Sequence, residues 1–376
     1  MNNVREKFQW LITEKKDEIP EIDKQGLKRF IKHGYDPELG WIRKPNTEHD
    51  ERGVDGKTTY HIDKKGRRKN PGHEKLKSII SCYGDSFCFC RQNNDNNTWE
   101  WYLSELTKSN VINFGVGNYG IDQAVLRLKR EYKKNQTKIV IMGVVPSTIV
   151  RIMCVWKHYN EFGNIFGFKP RFEIHDKKLV KIDNIIDDEK KFFKLEKYLP
   201  EIQKHDYFYK TKFKKEIIKF PYLIHLLKNP IRNFSLIYLI LTNQRERAMM
   251  KIMDINLKLR KNLFKTDEAI DLFHVIIKDF VAYGKKQNFK PVFLLIPQKD
   301  DILYVKQKER FYQDFISKIK KDLLVIDMTD YFIDIENLDE YYSDDNKYGG
   351  HPCYKGNELI AQVLMETLTS EKFFEQ

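Results

Sequence analysis

Short apolar runs alternate with amphipathic helical patterns from residue 77 onward. Five runs have the length and composition of buried strands: SIISCYG, VINFGVG, KIVIMGVV, PVFLLIP and LLVIDMT. Helical periodicity separates them, most clearly at 122–134, 267–285 and 306–320, and a last helix is expected at NELIAQVLMETL. Because strands that alternate with helices form parallel sheets covered on both faces, the pattern predicts a three-layer α/β/α sandwich with a parallel central sheet.

Two segments depart from this alternation. Residues 1–76 begin with Lys/Glu-rich amphipathic stretches and continue as a segment rich in Gly, Pro, Asn and Asp, with a small hairpin expected around TTYHI. Residues 161–264 are Lys-rich and helical, without the strand pattern. We therefore predict an N-terminal helical and loop extension over 1–76, an α/β domain over 77–160 and 265–372, and a helical insertion over 161–264.

The insertion contains an apolar stretch over residues 220–243, FPYLIHLLKNPIRNFSLIYLILTN. Pro221, Pro230, Lys228 and Arg232 interrupt it before it reaches the roughly 18 uninterrupted apolar residues of a membrane-spanning helix. The stretch is therefore expected not to cross a bilayer. Two interpretations remain: a helical hairpin buried against the domain, or a surface that makes peripheral contact with a membrane or a partner.

Composition favours a folded protein with a basic surface. The chain has 376 residues, 41% hydrophobic and 13% aromatic, and 67 Lys and Arg stand against 54 Asp and Glu, for a net charge of +13. This balance favours acidic partners such as nucleotides, anionic glycans or a charged lipid surface. Nucleic acid is not expected, because the basic residues are spread along the chain and do not form a stripe with stacking aromatic side chains.

The cysteines and the first residues bear on the compartment. Five cysteines are an odd number, and they lack the spacing of a disulfide framework or a zinc ribbon. The segment MNNVREKFQWLITEKKDE has neither the apolar core nor the small-residue cleavage site of a secretory signal. We therefore predict a cytoplasmic protein.

The clearest chemistry lies in Tyr83-Gly84-Asp85-Ser86-Phe87, directly after the first apolar run and before a helical stretch around TWEWYLSEL. The carboxyl ends of parallel strands form the ligand crevice, so a serine on this first turn is exposed to substrate. Gly84 permits a tight turn, and a helix that begins near Ser86 would stabilise negative charge there with its backbone N–H groups.

A serine needs a general base to act as a nucleophile. The candidate is His351, in the segment GGHP that follows the last strand and precedes the last helix. In a parallel sheet this segment reaches the same edge as the first turn. We therefore predict Ser86 as the nucleophile and His351 as its base.

Three blocks in this order resemble the SGNH (GDSL-like) hydrolase superfamily: GDSF at the first strand, NFGVGNYGIDQA at the second and GGHPCYKGNELIA near the C-terminus. The resemblance covers roughly residues 35–160 and 265–370, and the lead-in YDPELGWIRKPN is similar to that of bacterial SGNH proteins of glycan-modification loci. It implies a flavodoxin-like fold and an esterase, without cofactor or metal, that removes acetyl or other acyl groups from a carbohydrate or glycan precursor. An O-acyltransferase, in which a sugar hydroxyl replaces water, is the alternative.

The resemblance also implies roles for individual residues. Ser86 matches the nucleophile, and its backbone N–H is one oxyanion donor. The second donor falls on Asn118, with Gly117 just before it. Asn enters left-handed backbone conformations more readily than other non-glycine residues, which would turn its N–H inward. Further candidates for substrate contact are Asp85, Gly143 and Arg151, of which Arg151 would favour an anionic substrate.

One oxyanion donor departs from the family's pattern. Gly143 matches the third block, but Val145 stands where the family carries an asparagine. That donor is missing or is replaced by Ser147, Thr148 or the Asn118 side chain. Loss of one such donor typically costs about 3 kcal/mol of transition-state stabilisation.

The acid that orients the histidine departs as well. Tyr348 stands where the family carries the carboxylate, three residues before His351. The nearest carboxylates are Asp344 and Asp345, and we assign Asp345 as the triad acid. A backbone carbonyl could orient the ring instead and leave a Ser-His dyad.

Three other interpretations compete with an esterase. GVGNYG matches the G-x-G-x-x-G fingerprint of dinucleotide sites, but the next strand, KIVIMGVVPS, ends without the acid that holds the ribose. A zinc site from Cys88, Cys90, His351 and Cys353 lacks a common ligand spacing. A non-catalytic protein that keeps the fold and binds a glycan or a partner is the third, prompted by the missing asparagine and acid.

Overall fold

A computed structural model describes residues 19–20, 22–53, 56–161, 164–218, 221–343 and 350–375. The chain divides into two compact units. The first, here called the small unit, joins residues up to Ile42 with Met153–Ile255, and the second, here called the sheet unit, joins Arg43–Ile152 with Asn256–Gln376. This division differs from the predicted segments, because the chain from Arg43 to position 76 belongs to the sheet unit and not to an extension.

The described residues contain eleven strands. They are β1 (Tyr35–Asp36), β2 (Gly40–Trp41), β3 (Thr47–Gly53), β4 (Gly56–Ile62), β5 (Ser78–Gly84), β6 (Asn110–Asn113), β7 (Ile139–Val144), β8 (Arg171–His175), β9 (Lys178–Ile182), β10 (Lys290–Leu295) and β11 (Leu324–Asp327).

The α-helices in the same described part of the chain are α1 (Lys24–His33), α2 (Trp99–Thr107), α3 (Ile121–Glu131), α4 (Thr148–Arg151), α5 (Lys157–Asn160), α6 (Leu195–His205), α7 (Lys214–Glu216), α8 (Tyr222–Lys228), α9 (Pro230–Leu241), α10 (Arg245–Leu263), α11 (Asp267–Gln287), α12 (Lys299–Val305), α13 (Gln313–Ile319), α14 (Thr329–Phe332) and α15 (Tyr354–Ser370).

One parallel sheet organises the sheet unit. Its strand order is β11-β10-β7-β5-β6, and every neighbouring pair is parallel. Numbered along the chain, this is the order 2-1-3-4-5 of flavodoxin-like folds, in which the direction of strand addition reverses between the first and third strands. The predicted α/β fold with a parallel central sheet is confirmed.

Helices cover both faces of this sheet. Helices α2 and α15 pack against each other, and Trp99, Leu103, Ile360 and Leu364 share a buried core with Val292 and Leu294 of β10. Because successive strand residues point to opposite faces, Phe293 points the other way, where its ring lies 6.1 Å from that of Phe273 in α11. Helix α3 packs against α11, which completes the three layers.

An antiparallel hairpin of β3 and β4 precedes the sheet and confirms the hairpin predicted around TTYHI. The chain then returns through Arg68, which is buried and pairs with Asp95 at 2.9 Å. The same guanidinium donates to the carbonyl oxygens of Phe89, Cys90 and Asn93. Arg68 therefore holds the segment that follows the first sheet strand, where the predicted nucleophile lies.

The small unit carries the apolar stretch of the insertion. It folds as two helices, α8 and α9, whose inner side shares a core made of Ile218, Leu236, Ile240 and Ala248. Their outer side leaves large apolar side chains in solvent, with Leu223 66% and Ile231 81% exposed. In the part of the chain that the structure describes, no helix is both long and apolar enough to cross a membrane.

Candidate active site

The predicted nucleophile lies at the carboxyl edge of the sheet, where β5 and β7 are neighbours. Ser86 comes two residues after the end of β5, and Val145 comes directly after β7. In this topology the crevice at the reversal of strand order is the place where ligands bind. The fold therefore puts Ser86 in the expected binding crevice.

A close backbone approach shapes the nucleophile turn. A Cβ atom on Gly84 would lie 1.8 Å from the carbonyl oxygen of Gly143, so only glycine fits there. The Asp85 N–H donates to that same oxygen at 3.3 Å. Residues 86–90 form consecutive turns and the next α-helix, α2, begins only at Trp99, so the helix N-terminus expected near Ser86 is not found there.

Ser86 is buried, although the sequence predicts a serine exposed to substrate at this turn. Its side chain and backbone are only 6% exposed. Neither its hydroxyl nor its backbone N–H has a hydrogen-bond partner among the described residues. The hydroxyl can attack and the N–H can receive an oxyanion without first breaking an internal bond.

The buried carboxylate of Asp85 stabilises the nucleophile turn through hydrogen bonds. Its carboxylate accepts the Phe87 N–H at 2.8 Å and the Val145 N–H at 3.0 Å, and Arg151 Nη1 lies 2.9 Å from it. The side chain is fully buried, and burial raises the pKa of the carboxyl group while the Arg151 charge opposes that rise. Asp85 therefore positions the nucleophile turn against β7, in contrast to the substrate contact predicted for it.

Gly143 and Arg151 also make contacts that stabilise the nucleophile turn. Gly143 is buried within β7, where it accepts the Asp85 N–H and faces Gly84. Arg151, the last residue of α4, donates from Nη1 both to Asp85 and to the carbonyl oxygen of Tyr119 at 3.0 Å. Gly143 is thus structural, whereas Arg151 joins the nucleophile turn to the loop after β6.

That loop holds the predicted oxyanion donors. The Val116 N–H donates to the carbonyl oxygen of Gly84 at 3.0 Å, which aligns the loop with the nucleophile turn. Asn118 has a φ of 65°, the left-handed conformation expected for it. Its backbone N–H has no partner among the described residues, and Gly117 stands just before it.

At the position of the missing asparagine, Val145 offers no side-chain donor and its backbone N–H is already in use. Val145 is buried, and its N–H is used by Asp85. The Thr148 hydroxyl accepts the Ile121 N–H at 2.9 Å, so it braces the loop before α3. The Ser147 hydroxyl is buried without a partner in the described residues, and the Asn118 side chain is exposed.

His351 lies beside the nucleophile turn. Its ring centroid is 4.7 Å from that of Phe87, the residue after Ser86. Its Nδ1 lies 2.7 Å from Oε1 of Gln92, an oxygen that accepts but cannot donate. The Nδ1 therefore carries the proton, which leaves Nε2 as the basic nitrogen. In the described residues Ser86 and His351 make no hydrogen bond to each other, as is common in catalytic pairs without substrate.

The described contact of the His351 ring nitrogen is with a residue that the sequence analysis did not name. Asp345 and Asp344 lie outside the described residues, and the described contact of the ring is with Gln92. Gln92 is held by Glu51, whose carboxylate accepts the Gln92 N–H at 3.1 Å and pairs with Arg91 at 2.9 Å. No sequence signal marks Gln92, because the contact joins positions 259 residues apart.

This surrounding keeps the imidazole neutral. Loss of hydration, together with the charges of Arg91 and Arg151, lowers the pKa of His351 to about 3. A neutral amide beside Nδ1 does not stabilise the imidazolium as a carboxylate would. His351 is therefore in its base form at neutral pH.

The cysteines lie in the core. All five are free and buried, and Cys90 lies 3.3 Å from the buried carboxyl group of Glu100. Among the described residues no group of three or more His, Cys, Asp or Glu side chains is arranged to hold a metal ion.

Comparisons with known proteins find likeness in solved structures alone. No family model matches the chain, and no curated protein matches it. A protein of the G-D-S-L lipolytic family from Desulfitobacterium hafniense is 14% identical, with 77% of this chain and 98% of that chain covered and a TM-score of 0.36. An acetyl xylan esterase is 12% identical, over 77% and 99% of the two chains, with a TM-score of 0.39.

A third structure, a lipolytic G-D-S-L family member from Veillonella parvula, is 10% identical over 78% and 98% of the chains, with a TM-score of 0.35. Identities and TM-scores of this size carry no argument about what this chain does. The residues and contacts of the site therefore carry the functional conclusion.

Proposed function

We propose that this protein is an SGNH-type serine esterase, with Ser86 as nucleophile and His351 as general base. The observation that carries the proposal is the turn after β5, which holds an unbonded serine at the strand-order reversal with a neutral histidine next to it. Gln92 orients that histidine, and Asp85 fixes the turn.

The reaction follows from these contacts. Ser86 Oγ attacks the ester carbonyl carbon while Nε2 of His351 takes its proton. The oxyanion accepts the N–H groups of Ser86 and Asn118. The tetrahedral intermediate breaks its bond to the alcohol, which leaves with the proton from His351. Water then attacks the acyl-serine with His351 again as base, and the carboxylic acid and the free Ser86 hydroxyl are regenerated.

The proposed substrate is an O-acetyl or other small acyl ester of a carbohydrate or glycan precursor. The sequence resemblance to SGNH proteins of glycan-modification loci supports this choice. If a sugar hydroxyl attacks the acyl-serine in place of water, the same site performs O-acyl transfer. We also propose a cytoplasmic location, which the free thiol state of all five cysteines supports.

The outer side of α8 and α9 supports peripheral membrane contact as a second property. Its exposed apolar side chains include Leu223, Ile224, Leu227, Ile231, Phe234 and Tyr238. Residues 217–245 contain no Asp or Glu and four Lys or Arg. An exposed apolar face with the exposed Lys228 at its edge suits an anionic lipid surface.

Fluorophosphonate labelling of purified protein, followed by intact mass, tests the esterase. We expect one adduct on the wild type, none on Ser86→Ala, and slower labelling of His351→Ala. Ser109→Ala, which removes an equally buried serine hydroxyl that is paired with Thr107 outside the site, is the matched control and should label like the wild type. Failure of folded wild-type protein to label would contradict the proposal and favour a binding protein.

A further inference from the structure

We infer that the acylated molecule carries a carboxylate or a phosphate, and that Arg43 and Arg151 bind this anionic group. The inference rests on the proposed esterase function and extends it to the charge of the substrate. Arg43 was not among the residues predicted from the sequence. It belongs to the sheet unit, as do Ser86 and His351.

The Arg43 side chain packs on two aromatic rings and ends next to the loop after β6, which carries the predicted oxyanion donors. Its guanidinium carbon lies 5.1 Å from the ring centroid of Tyr60 and 5.0 Å from that of Phe89. One terminal nitrogen would lie 3.7 Å from a Cβ atom placed on Gly117. The guanidinium therefore stands next to the loop that carries the Asn118 N–H.

The charge of Arg43 is unmatched within the described residues. The side chain is half-buried, yet it makes no hydrogen bond and no ion pair there. Its neighbours differ: Arg68, on the same aromatic rings, pairs with Asp95, and Arg67 pairs with Asp63. A guanidinium held by aromatic faces keeps its N–H donors available for a planar anion.

Arg151 offers donors at the other end of the same loop. Its Cβ would lie 3.2 Å from a Cβ atom placed on Gly120. Only Nη1 is used, and the remaining guanidinium nitrogens have no partner in the described part of the chain. The side chain is 12% exposed, so these donors are within reach of a ligand.

The described carboxylates near the site do not neutralise Arg43. Asp85 is committed to Arg151 and to two backbone N–H groups. Glu51 is committed to Arg91 and to the Gln92 N–H. Arg43 and Arg151 thus lie at the two ends of the loop that carries the Asn118 N–H, and Arg recognises carboxylate and phosphate through paired hydrogen bonds. Acylated acidic sugars and acylated sugar phosphates have this chemistry.

Steady-state acetate release from three matched esters tests the inference. The esters are O-acetyl glucose, O-acetyl glucuronate and O-acetyl glucose 6-phosphate, which differ in the anionic group. We expect wild-type kcat/KM to favour at least one anionic ester by about tenfold. Arg43→Met should reduce this ratio severalfold, and Arg43→Lys should restore part of it. Arg67→Met, a paired arginine outside the site, should keep the wild-type ratio.

Binding measured without catalysis separates this inference from the esterase proposal. Isothermal titration of Ser86→Ala with the same three esters should show tighter binding of the anionic ones, and the Ser86→Ala/Arg43→Met variant should lose the difference. Turnover with equal kcat/KM for neutral and anionic esters would overturn the inference alone. Absence of Ser86 labelling would overturn the esterase, and equal binding of all three esters would overturn the anionic site independently.

Discussion

Within the described residues, His351 pairs with the Gln92 amide and with no carboxylate. A carboxylate orients the histidine and also stabilises its protonated form, whereas the Gln92 amide can only orient it. The nearby charges of Arg91 and Arg151 act in the same direction and disfavour the imidazolium. The expected result is a base that stays unprotonated in mild acid.

We predict that kcat/KM of the wild type stays flat from about pH 8 down to about pH 5, because the histidine is neutral across this range. An unperturbed histidine would lose activity as the pH falls through about 6.5. In Gln92→Glu the added carboxylate favours the imidazolium, so the acid limb should move to higher pH. In Gln92→Ala the rate should fall by about 10²-fold at every pH without moving the limb.

The measurement is the pH dependence of kcat/KM for a neutral acetyl ester with all three proteins. Asn93→Ala, a substitution at the neighbouring position whose side chain donates to backbone carbonyls, controls for local unfolding. An acid limb near neutral pH in the wild type would show that burial and the two arginines do not keep His351 neutral. An unchanged profile in Gln92→Glu would show that residue 92 does not contact the base.

Helices α8 and α9 bury apolar side chains on one side and leave apolar side chains exposed to solvent on the other side. Helix α9 buries Asn233, Leu236 and Ile240, while Ile231 and Phe234 remain in solvent. A soluble surface helix usually places polar residues on the outer side. The outer side here is apolar instead, which is the property on which membrane contact is proposed.

We predict that the wild type binds vesicles of phosphatidylcholine with phosphatidylglycerol more strongly than vesicles of phosphatidylcholine alone. Replacing Leu223 and Ile231 together by Ser should weaken binding by at least about tenfold, because each buried aliphatic side chain contributes about 1.5–3 kcal/mol. Leu106→Ser changes a single exposed leucine on α2 and should have no effect.

Vesicle co-sedimentation measures this binding, and sedimentation velocity without lipid measures self-association. Equal binding of the wild type and the double variant would refute the membrane contact. Dimerisation of the wild type that the double variant loses would assign the apolar side to a second copy of the chain.

Global stability should depend on a carboxyl group in the core of the sheet unit. Glu100 is buried, and burial raises its pKa from 4.5 to about 8. Its carboxyl oxygens lie near the thiols of Cys88 and Cys90, beneath the nucleophile turn. The folded state therefore holds a proton that the unfolded state releases at lower pH.

The sign of the resulting pH dependence follows from proton linkage. Between 4.5 and about 8 the folded state binds more protons, so the free energy of unfolding decreases as the pH rises through this window. We predict that Glu100→Gln, which keeps the shape without the titration, raises the Tm relative to wild type by about 5 °C more at about pH 9 than at about pH 6. Thermal denaturation followed by circular dichroism measures it.

Glu366→Gln, an exposed glutamate on α15, is the matched control and should show the same Tm difference from wild type at both pH values. A constant Tm difference between Glu100→Gln and wild type across this pH range would mean that Glu100 is not protonated in the folded protein.

Periodicity along the chain was sufficient to identify the layers of the sheet unit. Five apolar runs became the five parallel strands, and the helix expected at 267–285 is α11. These features follow from local hydrophobic pattern, which each segment carries independently of its neighbours. In the region expected as one helix at 306–320, turns follow the end of α12 at Val305 and only Gln313–Ile319 is helical, because the pattern does not mark a short break between helices.

The two chemical groups with strong local motifs were also visible in the sequence. Ser86 lies in a short block two residues after β5, and His351 lies in a short block just before α15. The left-handed backbone of Asn118 was anticipated from its residue type.

The side chains that contact the site residues could be identified only from the tertiary structure. Gln92 orients His351 across 259 positions, Arg43 reaches Gly117 over two aromatic rings, and Asp85 turns its carboxylate inward to Val145. Each contact joins segments that are distant in the chain and leaves no periodic trace. A hydrophobic pattern can therefore specify the layers, but the partner of a polar side chain is decided only when the folded backbone brings a donor and an acceptor within hydrogen-bond distance.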